Sequence, residues 1–138
     1  MADARTTAET LELYRRGWDE EDFGPIEAAI TDDFELLDPW GTLVGKEKMR
    51  RYCEASYRRF RDITTVYTAI VEQDGVVGVE WTMSLTGDLP DIDGKVADLV
   101  GGAIVRMRGD RIASWHDYWD SAQMSRALGL PTALDLKG

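Results

Sequence analysis

The chain has 138 residues, with 16 Lys and Arg against 26 Asp and Glu, for a formal net charge of -10. Its length suits a single domain spanning 1–138, and the acidic surplus repels phosphate backbones and anionic bilayers, which excludes nucleic acid and membranes as partners. Hydrophobic residues at 43% and charged residues at 30% are globular proportions, not those of a disordered chain.

No apolar run approaches the roughly 18 residues of a membrane span, and the opening MADARTTAETLE has no signal-like apolar stretch, so a cytoplasmic protein is expected. The one cysteine, Cys53, allows neither an internal disulfide nor a cysteine cluster, and the one histidine, His116, cannot build a histidine-rich metal site. No metal and no cofactor are therefore expected.

Thr6 and Glu9 match a capping box, and Leu11, Tyr14 and Trp18 recur behind them at helical spacing, predicting an amphipathic helix over 7–20. Gly24-Pro25 reads as the N-cap and first position of a short second helix carrying Ile26, Ala29 and Ile30 on one face. Alternation over 33–38 (DFELLD) predicts a strand that stops at the turn Pro39-Trp40-Gly41. Residues 45–60 return to helical period, with Met49, Tyr52/Cys53, Ser56 and Phe60 as the inner stripe. Seven basic residues fall within 46–61 and read as the solvated face of that helix.

The second half is β in character. Residues 62–73 and 76–86 are β-branched and alternating, joined at Asp74-Gly75, a hairpin signal. A polar loop over 87–94 leads to strands at about 95–107 and 111–119, joined through Arg108-Gly109-Asp110, and a short helix over 121–128 follows. Helices gathered on one side of a mainly antiparallel sheet make an α+β fold. A strongly curved sheet wrapped around helices forms a cone whose open end suits a small-molecule pocket.

Two strand aspartates stand out, because Asp is depleted in strands. Asp38 shares a face with Phe34 and Leu36, and Asp117 shares one with Ala113, Trp115 and Trp119, so burial of those neighbours turns both carboxyls inward. A carboxylate among aromatic walls loses hydration, which raises its pKa and fits it for proton transfer; the other reading of each is an edge residue or a turn acceptor. Alternation sends the His116 ring to the opposite face, as a surface or subunit contact. Tyr14 reads either as a hydroxyl offered to a ligand oxygen or as a core tyrosine whose hydroxyl is satisfied locally. Trp18, Trp40, Trp81, Trp115 and Trp119, with Met83 on the face of Trp81, read either as ordinary core or a subunit interface, or as the lining of a site for a flat, apolar ligand. Gly101-Gly102, inside a strand, marks a bend or a close ligand approach.

Two segments carry a resemblance: Phe34 through Gly41 (FELLDPWG), followed by Gly45 and a helix, and Gly109 through Asp120 (GDRIASWHDYWD). Over about residues 8–130 the chain resembles the nuclear transport factor two-like superfamily, in its SnoaL-like and ketosteroid isomerase-like branch. The resemblance implies the same cone and a homodimer through the outer sheet face. The isomerases' general base, an Asp before a Pro, falls on Asp38, and their oxyanion-hole Tyr on Tyr14. The acid that completes that hole has no counterpart in Gly101-Gly102-Ala103. Limonene epoxide hydrolases match at Trp115 and Asp117, but their Arg and second Asp fall on Trp81 and Met83. SnoaL-like polyketide cyclases use an acid/base Asp at the position of Asp117, without a metal.

The resulting expectation is a cofactor-independent enzyme acting on a small hydrophobic substrate of polyketide, steroid or terpenoid type, by cyclisation, isomerisation or dehydration. Asp117, Asp38 and Tyr14 would be catalytic, and Trp18, Trp40, Trp81, Met83 and Trp115 would bind substrate. The alternatives are a non-catalytic ligand-binding or dimerisation module and an epoxide hydrolase-like enzyme with an altered water site.

Overall fold

The structure is a computed structural model that describes residues 4–130. Helix α1 (Thr7–Asp19) opens on the capping box: the Thr6 hydroxyl accepts the Glu9 N–H at 3.1 Å, and the Glu9 carboxylate accepts the Thr6 N–H at 3.2 Å. Helix α2 (Phe23–Ala29) is capped by Asp22, whose side chain accepts the Gly24 N–H at 2.9 Å. Gly24 and Pro25 therefore lie inside its first turn and do not form the cap. Asp22 supplies the side-chain acceptor that a glycine cap lacks.

Strand β1 (Ile30–Asp38) begins three residues earlier than alternation suggested, directly after α2. Pro39-Trp40-Gly41 does not end the β-structure. It turns the chain into β2 (Gly41–Val44), which pairs back on β1 from Glu35↔Val44 to Asp38↔Gly41. Helix α3 (Lys46–Arg59) follows, then β3 (Phe60–Gln73), β4 (Val76–Gly87), β5 (Val96–Arg108), β6 (Arg111–Trp119) and α4 (Ala122–Leu128). At the β3–β4 hairpin Asp74 and Gly75 have φ of 53° and 78°, the paired left-handed values that two-residue hairpin turns use.

All six strands join one sheet in the order β2-β1-β6-β5-β4-β3. Every pairing is antiparallel except β1 with β6, which is parallel, with Leu36 beside Trp115 and Leu37 beside His116. Period-2 alternation sends Val77, Val79, Trp81 and Leu85 of β4 and Ala97, Leu99, Ala103 and Val105 of β5 to one buried face. Helices α1, α2 and α3 cover that face with Leu11, Tyr14, Ile26, Met49 and Cys53. Gly17 is what allows α1 to lie close on α2, since a Cβ there would fall 2.3 Å from Ile26 Cγ1 and 2.9 Å from the Asp22 carbonyl oxygen.

Candidate active site

The sheet and helices enclose a cavity of about 820 Å³. The eight residues expected to be catalytic or substrate-binding line it: Tyr14 and Trp18 from α1, Asp38 and Trp40 from β1 and its turn, Trp81 and Met83 from β4, and Trp115 and Asp117 from β6. The loop after β4 supplies Leu89, Pro90 and Ile92 to the wall, and Arg61 fastens that loop by pairing with Asp88 at 2.7 Å and Asp93 at 2.8 Å.

Parallel pairing brings the two carboxylates together. Asp38 and Asp117 each sit one residue past the Leu37–His116 pair, on neighbouring strands and on the same inward face. Their surroundings differ. Both oxygens of Asp38 accept hydrogen bonds, Oδ2 from the Tyr52 hydroxyl at 2.7 Å and Oδ1 from the Trp40 backbone N–H at 2.9 Å. Asp117 Oδ1 accepts one, from the Trp81 indole Nε1–H at 2.8 Å. Burial pushes the Asp117 carboxyl from an ordinary 3.8 up to about 6, and the negative charge of Asp38 adds to the rise. The indoles of Trp81 and Trp115 act in the opposite direction by favouring the charged form.

Tyr14 stacks on Trp115 with ring centroids 4.3 Å apart and planes at 17°. Burial first, and the charge of Asp117 second, hold its phenol well above the ordinary range, so it stays protonated and able to donate. Trp18 meets Tyr52 edge to face at 6.0 Å. Trp40 is 60% exposed at the rim, edge-on to Trp119 at 5.1 Å. Trp119 in turn meets Trp81 at 6.3 Å. Trp81 and Trp115 are almost wholly buried, yet the tryptophans stand around the cavity and leave its volume open.

One participant carries no functional signal in the sequence. Helical period marks the stripe of α3 that holds Tyr52 as buried, but nothing local tells that its hydroxyl reaches a strand residue. Trp119, which alternation puts on the face of Trp115, lines the cavity as one of the candidate aromatic residues. Gly101 is a correction. Its bare Cα is approached by the protein's own Trp81, since a Cβ there would lie 2.5 Å from Trp81 Cζ2. His116 lies on the other face, with Nε2 3.7 Å from Glu35 Oε2. Among the described residues no group of three or more His, Cys, Asp or Glu side chains is placed to hold a metal ion.

A curved sheet closed by helices over an aromatic cavity, with a pair of strand aspartates inside, defines a nuclear transport factor two-like cone. The profile of the SnoaL-like domain matches residues 11–115, and the chain belongs to that family. No curated protein sequence matches it significantly. A Catenulispora acidiphila protein with a ketosteroid isomerase-like fold, solved with trimethylamine, is 19% identical, covering 91% of this chain and 96% of its own, with a TM-score of 0.80. A candidate polyketide cyclase from Xanthomonas campestris is 17% identical over 88% of this chain and 96% of its own, with a TM-score of 0.79. An LEH-like epoxide hydrolase of M. tuberculosis is 19% identical over 88% of this chain and 84% of its own, with a TM-score of 0.72. At these identities the likeness is one of fold.

Proposed function

We propose that this chain is a cofactor-independent enzyme that moves protons on a small, largely apolar substrate, with Asp117 as the principal acid/base. The observation that carries this reading is a carboxyl buried among indoles beside an open cavity, with its pKa pushed up to about 6. A base works best when its pKa lies near the working pH. The ionised Asp117 takes a proton from a carbon next to a substrate carbonyl. The electron pair left behind moves onto the carbonyl oxygen, where the Tyr14 hydroxyl donates a hydrogen bond to the growing charge. Asp117 then returns its proton at a second position (isomerisation) or to the alkoxide formed by ring closure (cyclisation), and in dehydration to a departing hydroxyl. Asp38, on the same wall of the cavity, orients the substrate or exchanges a proton itself. Trp18, Trp40, Trp81, Met83 and Trp115 supply a flat apolar wall.

An epoxide hydrolase-like route has less support, because an indole and a thioether occupy the positions where that route needs an Arg and an Asp. The same proposal includes a homodimer through the outer sheet face, where Val71, Ile104 and Tyr118 are exposed. It also includes a cytoplasmic location, which the buried free thiol of Cys53 suits.

The test uses deuterium exchange followed by proton NMR, with a β,γ-unsaturated steroid ketone and an aromatic β-keto ester as probes. Wild-type protein is expected to accelerate loss of the acidic C–H signal of at least one probe. Asp117→Asn is expected to lower that acceleration by about 10²-fold or more while the protein stays folded. Equal exchange by the wild type and the folded variant would remove Asp117 from the chemistry. Tight binding of a probe without any exchange would favour the ligand-binding module.

A further inference from the structure

The indole of Trp81 reaches Asp117 only because β5 leaves space for it. Gly101 stands between Trp81 on β4 and Trp119 on β6 in the sheet register. A Cβ at Gly101 would meet Trp81 Cζ2 at 2.5 Å, Trp119 Cβ at 2.8 Å and Trp81 Cε2 at 2.9 Å. None of these atoms is the free end of a flexible chain: two belong to a rigid ring that is 4% exposed, and the third is fixed to the backbone of β6. The backbone of Gly101 is not in the left-handed region, so conformational freedom does not explain a glycine at this position. The space above it does. With the ring lying over Gly101, Trp81 Nε1–H sits 2.8 Å from Asp117 Oδ1 and leaves Oδ2 as the oxygen without that donor.

We propose that Gly101 is a positioning residue: its missing side chain seats the Trp81 indole, and the seated indole fixes which oxygen of Asp117 is held and how readily that carboxyl gives up its proton. This inference rests on the reading of Asp117 as the acid/base. Trp81 thereby has a second task besides forming the wall. Its N–H favours the charged carboxyl and opposes the desolvation that pushes the Asp117 pKa up.

The experiment is a pH titration of the aspartate side-chain carboxyl carbons by carbon NMR on the full, ligand-free chain. The Asp117 resonance is identified by its disappearance in Asp117→Asn. Trp81→Phe removes the donor while keeping a ring, and is expected to raise the Asp117 midpoint by about one pH unit. Gly101→Ala is expected to raise it in the same direction by displacing the ring. Gly102→Ala, on the opposite face of β5 with only the Val79 carbonyl oxygen at 3.4 Å, is expected to leave it at the wild-type value. An unmoved midpoint in Trp81→Phe or in folded Gly101→Ala would overturn the proposal.

Urea unfolding provides a second arm should Gly101→Ala fold poorly. The alanine is expected to cost less stability in a Trp81→Phe background, where the smaller ring yields the space. An equal loss in both backgrounds, or failure of the double variant to fold, would assign the clash to Trp119 and overturn the proposal. Because no ligand enters either measurement, a failure of the proton-transfer reading would show in the exchange assay and not here.

Discussion

Asp117 binds its proton more tightly in the folded protein, with a pKa of about 6, than in an unfolded chain, where an aspartate titrates near 4. Between those two values the folded state holds more protons than the unfolded state, so stability falls as pH rises through the window from about 4 to 6. Above the window the charged, desolvated carboxylate costs about 2–3 kcal/mol. Asp117→Asn keeps the shape and an oxygen for the Trp81 N–H but cannot ionise. It is expected to raise the thermal unfolding midpoint by roughly 5–10 °C at pH 8 and to leave it nearly unchanged at pH 4, as scanning calorimetry at the two pH values would show. Both aspartates were legible in the sequence, since alternation with Phe34 and Leu36, and with Trp115 and Trp119, fixes their direction without knowledge of the rest of the sheet. The Asp38–Tyr52 bond was not legible, because it joins a strand to a helix whose relative placement only the assembled core decides. Gly101 was read as a bend or a ligand approach for the same reason: its neighbour across the sheet is twenty residues away and depends on register.

Among the elements, periodicity places α3 and β3 to β6 close to their observed bounds, and local punctuation fixes two further features. The capping box of α1 and the Asp-Gly hairpin between β3 and β4 each fit within a few residues, and both occur as expected. Strand β2 leaves no sign in the sequence because Pro39-Trp40-Gly41 is a stop signal in isolation, and Gly41–Val44 become a strand by pairing back on β1. The α1–α2 contact sets its own requirement. Gly17→Ala gains about 1 kcal/mol of intrinsic helix preference, but its methyl would collide with Ile26 and with the Asp22 carbonyl oxygen. Over-packing of this kind costs about 1–3 kcal/mol. The net expectation is a lower urea midpoint with an unchanged slope; a higher midpoint would show that α2 yields easily and that the close approach is not a constraint.

At the scale of the whole molecule, the convex face of the sheet carries an apolar groove floored by Gly78 and Gly102 and walled by Val71, Ile104 and Tyr118. Val71 is 70% exposed and Tyr118 56%, and contiguous apolar surface of this kind marks contact sites. If two copies bury it against each other, as proposed, sedimentation equilibrium should give twice the 15.5 kDa chain mass, and Ile104→Glu should return it to the single value. A wild-type mass of one chain would remove the dimer from the reading. The cone itself was legible in the sequence, because four long strands after three amphipathic helices leave few ways to bury every apolar face. The order of the strands was not, since it turns on the one parallel pairing.

That parallel pairing has a consequence for how the protein comes to be functional. Asp38 and Asp117 are separated by β2, α3 and β3 to β5, and they become neighbours only when β1 is laid against β6, the last strand among the described residues. No hairpin or other local fragment contains both. During synthesis the acid pair therefore stays unassembled until β6 has docked on β1, and a half-zipped sheet carries two separate aspartates in place of a pair.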